Sequence, residues 1–240
     1  MKNKIIVTFL LFIITFPCLL AQDMDQIYRW KFGVSGGMGF RTGSFKDAKK
    51  ELMDLGIDRS TANSFYDRQK WARTLDVQAY YLFKPTWGLG LKYNFSNTSA
   101  KKEDIFVQST SLNQFMDIEQ RNYFHFVGPS FYAQQWINSN RNLLLVSNIS
   151  IGYTHYREED EAGYSRLLAT GHSFGSICDI GLEYFFHKNW SIGVDLSYFS
   201  SSLFRIKIED AYESTTLKLK GNDRISLDRL DLTFGIRFYK

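Results

Sequence analysis

The 240-residue chain has two cysteines, and Cys18 sits in an amino-terminal stretch that reads as a removable leader. With Cys178 alone in the remainder, no internal disulfide can form, so another kind of closure must hold an exported chain together. Beyond the leader there is no run of 18 apolar residues, which rules out a membrane protein built from spanning helices. Charge of one sign is also scarce. The formal +4 falls to +2 once Lys2 and Lys4 are gone, which gives no basis for nucleic-acid binding. Four scattered histidines and one cysteine offer no metal-ligand spacing. Gly33, Gly36, Gly37 and Gly39 lie inside an alternating stretch, not in a phosphate-cradling loop. No cofactor is expected. Aromatic side chains, by contrast, are abundant: 14 Tyr and 21 Phe contribute to a 17% aromatic share, which suits amphipathic rings placed at two membrane interfaces.

Residues 1–21 have the parts of an export signal. Lys2 and Lys4 are the positive start, residues 5–16 are apolar, and Leu19-Leu20-Ala21 precedes a cut before Gln22. Lipidation at Cys18 would need small residues where Phe16 and Pro17 stand. Two segments follow: a signal peptide at 1–21 and a single domain at 22–240.

The stretch IGLEYFFHKNWSIGVDLSYF, residues 180–199, sets the pattern for that domain. Ile180, Leu182, Tyr184 and Phe186 alternate with Gly181, Glu183 and Phe185. After His-Lys-Asn, Trp190, Ile192, Val194, Leu196 and Tyr198 alternate with Ser191, Gly193, Asp195 and Ser197. Period-2 alternation across a three-residue reversal predicts an antiparallel hairpin. One face is oily, with rings at its turn end, and the other is small or charged. That suits a wall with lipid outside and a narrow polar interior.

The same period predicts eight strands. They cover residues 28–42, 71–83, 87–95, about 118–137, 143–156, 171–186 and 190–208, and a last strand carries Leu230, Leu232, Phe234, Ile236 and Phe238 on one face. The fourth is the least regular, because Tyr123 to Val127 declare no face and Pro129 interrupts. Long polar connections alternate with tight turns. The long ones cover 44–69, 97–117, 157–169 and 209–223; the tight ones are Lys-Pro-Thr, Ser-Asn-Arg and His-Lys-Asn. In the first long connection Phe45, Ala48, Leu52 and Leu55 fall at helical spacing, with Ser44 as a cap and Gly56 as a stop, so a short helix is expected there. Its apolar stripe would rest on the barrel rim or dock a partner. An even strand count with long loops at one end and short turns at the other is the layout of an eight-stranded antiparallel up-and-down transmembrane β-barrel. Phe83, Trp87, Trp136, Phe186 and Trp190 would form the aromatic girdle at the periplasmic, short-turn end.

Side-chain parity sends Lys31, Arg41, Asp76, Lys92, Asp179, Glu183, Asp195, Asp231 and Arg237 inward. Eight strands enclose a lumen that side chains just fill. Charges of both signs there are tolerable only when paired, and the favoured reading is a salt-bridged plug. A gated polar path or a small-ligand site at Asp179 and Glu183 is the alternative. A soluble barrel around a ligand would need an apolar lumen, which the inward charges and glycines oppose.

The leader ending LLAQ, the 180–199 hairpin and the closing strand LDLTFGIRFYK together make the chain resemble the small eight-stranded outer-membrane β-barrel proteins. These are the OmpA-barrel and OmpX-like class, in particular the barrel-domain proteins of Bacteroidetes-type bacteria. The closing strand departs slightly from their aromatic ending, since Tyr239 and Lys240 follow Phe238. The resemblance implies a bacterial outer-membrane address with both termini in the periplasm. It also implies contact with outer-membrane lipid and lipopolysaccharide, insertion by the barrel-assembly machinery, and an envelope partner reached through the loops. The expected role is structural or interactive and non-enzymatic, with an accessory barrel of a secretion machine as the alternative. Some barrels of this size deacylate or acylate lipid A. That chemistry needs a histidine beside a serine and an acid, and none of His125, His155, His172 and His187 is followed two residues later by serine.

Overall fold

The structure is a computed structural model that describes residues 28–240 other than 55, 110, 111, 164, 211 and 220–223. The leader assigned to residues 1–21 lies outside the described residues. Seven long strands come first: β1 (Trp30–Arg41), β2 (Trp71–Lys84), β3 (Trp87–Ser109), β4 (Leu112–Trp136), β5 (Leu143–Ala162), β6 (Ser165–His187) and β7 (Trp190–Leu203). Three short strands follow, β8 (Arg205–Glu209), β9 (Ser214–Lys218) and β10 (Ile225–Ser226), and then the closing β11 (Arg229–Tyr239). Strands β1 to β7 pair antiparallel in sequence order, and β11 pairs with both β7 and β1. The result is a closed ring of eight, within which every strand is paired on both sides.

The strand number and the tight turns match the alternation in the sequence; the long connections differ. Residues 97–117 are not a loop: β3 and β4 run on as a hairpin ribbon as far as Ser109 and Leu112. Residues 157–169 likewise continue β5 into β6 through the pairs Arg157↔Thr170 to Ala162↔Ser165. Both ribbons stand above the oily band, where no lipid demands an apolar outer face, so their sequences lose the apolar alternation while keeping the backbone pairing. Strand seven stops at Leu203, and the chain resumes after Phe204 as β8, which pairs with β6 and with β9 inside the last connection.

The long-loop end also carries two helices where the spacing predicts one. Helix α1 (Lys46–Asp54) gives way at Gly56, whose φ of 85° is easy only for glycine. Helix α2 (Arg59–Gln69) is capped by Asp58, whose carboxylate accepts from the N–H groups of Ser60 and Thr61 at 2.9 and 3.0 Å. The stripe of α1 rests within the protein: Phe45, Ala48 and Leu52 pack with Phe65 and Tyr66 of α2 and with Ala100 and Ile118 of the β3–β4 ribbon.

The irregular fourth strand resolves into a clean parity. Asn122, Phe124, Phe126, Ser130, Tyr132, Gln134 and Trp136 are all buried inward, and Pro129 faces out. Beside the proline, Gly128 of β4 and Gly152 of β5 lie close together. A Cβ on Gly152 would run into the Val127 carbonyl.

Candidate functional site

Parity fixes what fills the barrel. Ten charged side chains are buried: Lys31, Arg41, Lys92, Arg229 and Arg237 against Asp76, Asp179, Glu183, Asp195 and Asp231. Nine of them were expected from alternation. Arg229, which precedes the apolar alternation of the last strand, was not.

They form three linked layers. Nearest the short turns, Lys31 Nζ donates to Glu183 Oε1 at 2.6 Å and lies 4.0 Å from the centre of the Tyr132 ring. Glu183 Oε2 also accepts from Tyr239 and Ser191, at 2.6 and 3.0 Å. Arg237 donates to Asp195 and to the carbonyls of Gly193 and Gly235, the latter two at 2.9 and 2.6 Å. In the middle, Lys92 Nζ bridges Asp179 Oδ2 at 2.6 Å and Asp76 Oδ1 at 3.4 Å. Asn94 donates to Asp76 at 3.0 Å. Above it, Arg229 donates to Asp231 at 2.5 Å, Ser96 at 2.7 Å and Asn94 at 2.8 Å. Arg41 stands apart, its guanidinium over the rings of Phe45 and Phe124. Asp179 and Glu183 are not paired with each other: Lys92 holds the first and Lys31 the second.

Apolar layers close this polar section at both ends. Towards the short turns, Tyr28, Tyr80, Leu82, Tyr132, Trp136 and Leu144 pack together. Towards the long loops, Phe124, Phe126, Ile177, Phe199, Leu203 and Leu227 do the same. Alternation alone did not reveal these layers, because it contrasts two faces of one strand and does not report height along the lumen. One girdle assignment is thereby corrected. Trp136 falls on the inward parity of β4 and packs against Phe185 with ring centres 5.1 Å apart, so it belongs to the interior closure. Phe83, Phe186 and Trp190 are exposed on the outer wall, and Trp87 is half-buried beside Phe83.

The outer wall is stratified as lipid requires. Tyr81, Ala79, Val77 and Leu75 of β2 project outward above Phe83, and strand pairing extends these levels into Leu89, Leu91, Tyr93 and Phe95 of β3. Along the register row of Leu75 and Phe95 the pairing continues as His125, His155 and His172, direct partners on β4, β5 and β6. Tyr93 and His125 Nδ1 share a hydrogen bond of 2.8 Å. This row was not visible in the sequence, because register rather than spacing brings the three rings together. One level higher the wall turns basic and polar, with Arg73, Asn97, Tyr123 and Arg157 in register. From Phe83 to Arg73 is about ten residues at ~3.3 Å each, which at the usual strand tilt of ~40° is about 25 Å of height. That matches the hydrocarbon core of an outer membrane. Among the described residues no cluster of His, Cys, Asp or Glu has the arrangement to hold a metal ion.

A closed eight-stranded wall, oily outside over the thickness of a membrane and charged within, defines a transmembrane β-barrel. The family described as outer membrane protein beta-barrel domain matches residues 9–238, and the chain belongs to it. Its home is therefore the bacterial outer membrane, among that membrane's lipids. Solved structures with a similar fold include a major outer membrane protein from Thermus thermophilus, with 12% identity, 88% of this chain and 99% of that one covered, and a TM-score of 0.49. OprG from Pseudomonas aeruginosa has 12% identity, 91% and 99% coverage and a TM-score of 0.47. The outer membrane protease OmpT from Escherichia coli has 11% identity, 92% and 99% coverage and a TM-score of 0.44. A search of proteins with curated descriptions found no match.

Proposed function

We propose that the protein is a non-enzymatic, closed barrel that supports the envelope and presents its long-loop end to the cell exterior. In this reading residues 1–21 direct export and are removed before Gln22, and both termini stay in the periplasm. The observation that carries the reading is the interior. Four cations, Lys31, Lys92, Arg229 and Arg237, meet five carboxylates between two apolar layers, an arrangement that fills the lumen with paired charge. On the outer wall His125 of the histidine row has the Tyr93 hydroxyl as its hydrogen-bond partner, where lipid deacylation would call for a serine and an acid. Two experiments test the proposal. Protease or biotin applied to intact cells should reach the β3–β4 ribbon and spare the termini. Lipid A mass spectra of a deletion strain should equal those of its parent, and a change in acylation would favour the enzymatic alternative.

A specific observation favours a second reading, an accessory component of a larger envelope or secretion assembly. Phe106 and Phe115 are register partners in the β3–β4 ribbon beyond the membrane, exposed by 45% and 69%, with ring centres 5.1 Å apart. An exposed aromatic pair on a projecting ribbon suits a protein contact. Co-purification of envelope proteins that is lost in Phe106→Ser/Phe115→Ser would support it.

A further inference from the structure

Where the oily band of the outer wall ends, a cleft of roughly 620 Å³ opens between α2 and the wall of β2 to β4. Three arginines line it from three elements: Arg68 near the end of α2, Arg73 on β2 and Arg121 on β4. Met38, Trp71 and Tyr123 supply its apolar and aromatic surface. The cations are not used up by the protein. Arg73 is exposed and has no ion pair or side-chain hydrogen bond among the described residues. Arg68 is exposed and reaches only the Lys101 carbonyl, at 3.4 Å. Arg121 is held by Glu119 at 2.6 Å. Asp67, next to Arg68 in the chain, is taken by Lys70 at 2.7 Å. The cleft is thus net positive, with Arg73 unpaired among the described residues and Arg68 held by one long contact only.

Height decides the ligand. Arg73 stands one level above Leu75 and Phe95, so its guanidinium sits where hydrocarbon gives way to headgroups, and apolar wall lies directly beneath. Guanidinium forks match phosphate oxygens in pairs, and Trp and Tyr favour the same interfacial zone. We propose that this cleft seats the phosphorylated headgroup of a membrane lipid, with Arg68 and Arg73 donating to the phosphate and the acyl chains lying along Met38 and Leu75. With the long-loop end outside, as proposed above, that lipid is the phosphorylated glycolipid of the outer leaflet, lipid A. The identification of the leaflet rests on that reading, whereas the phosphate site does not.

The test uses the full mature chain in phosphatidylcholine nanodiscs doped with lipid A, and native mass spectrometry to count retained lipid. Both leaflets carry the probe, so the outcome does not depend on which end faces out; the cell-surface labelling described above tests orientation separately. Wild type should retain lipid A, and Arg68→Gln/Arg73→Gln should weaken retention by about tenfold or more, the scale of one lost charge-assisted contact. Arg166→Gln/Lys218→Gln, with the same change in net charge elsewhere at the long-loop end, should retain lipid as wild type does. Equal retention by the cleft variant and wild type would overturn the site. So would equal loss in the control variant, which would mean bulk charge attraction. Displacement of lipid A by millimolar inorganic phosphate would also overturn it, in favour of a free-anion site.

Discussion

Lys92 and Asp179 stand 87 residues apart in sequence and three strands apart around the wall, yet Lys92 Nζ donates to Asp179 Oδ2 at 2.6 Å across the lumen. The same ammonium reaches Asp76 at 3.4 Å, so two buried acids share one lysine. Removing it would strand both in a dry interior.

Lys92→Met is therefore expected to cost about 3–5 kcal/mol, the scale of breaking a buried ion pair from one side. Urea unfolding in phospholipid vesicles measures this. Adding Asp179→Asn should return part of the loss, because an amide needs no counter-charge. A double variant no more stable than Lys92→Met would mean that charge pairing is not what holds the middle layer.

A second expectation concerns conduction. The paired charges lie between the Tyr132–Trp136 layer and the Phe124–Phe199 layer. Wild-type protein in planar bilayers should show no steady open level. Large, stable steps at neutral pH would show that a layer opens.

A third concerns pH and the long-loop end. Asp160 lies above the Arg73–Arg157 level, clear of the membrane band. Burial, and then repulsion from Glu158, push its carboxyl up to about 7, and its Oδ1 is buried without a hydrogen-bond partner. An unfolded aspartate titrates near ~3.9. The folded state therefore holds the proton more tightly, and the favourable contribution is fully present at low pH. It is lost progressively between about 4 and 7, and above 7 the ionised group weighs against folding. Amide exchange in the upper β5–β6 ribbon, corrected for intrinsic rates, should be faster at pH 8 than at pH 5. Asp160→Asn should reduce the difference. Equal protection at both pH values would remove Asp160 as the cause.

These features differ in how far they can be read from the sequence. Nine inward charges and eight strands follow from period 2, because a membrane wall makes every residue choose between oil and a polar core. Arg229 escapes that reading: it sits at the lip of the barrel, where apolar alternation has not begun, and still points inward. The second helix is built from RSTANSFYDRQ, poor in strong helix formers, and its signal was the Asp58 cap with Ala62, Phe65, Tyr66 and Gln69 at helical spacing. Gln69 then binds Thr98, Asn122 and the Gln120 carbonyl at 2.6 to 2.9 Å, partners 29 to 53 residues away that no local pattern joins. The histidine row and the arginine cleft depend on register, which alternation leaves open.

Whether the oily faces look outward into lipid is tested most directly at Leu91. It lies midway up the band on β3, is 61% exposed, and neighbours the inward Lys92. The measurement is the reversible folding free energy of Leu91→Arg in phosphatidylcholine vesicles. An outward Leu91 near the midplane predicts a loss of about 2–4 kcal/mol. A change within about 0.5 kcal/mol, the ordinary range for a water-exposed surface site, would contradict it.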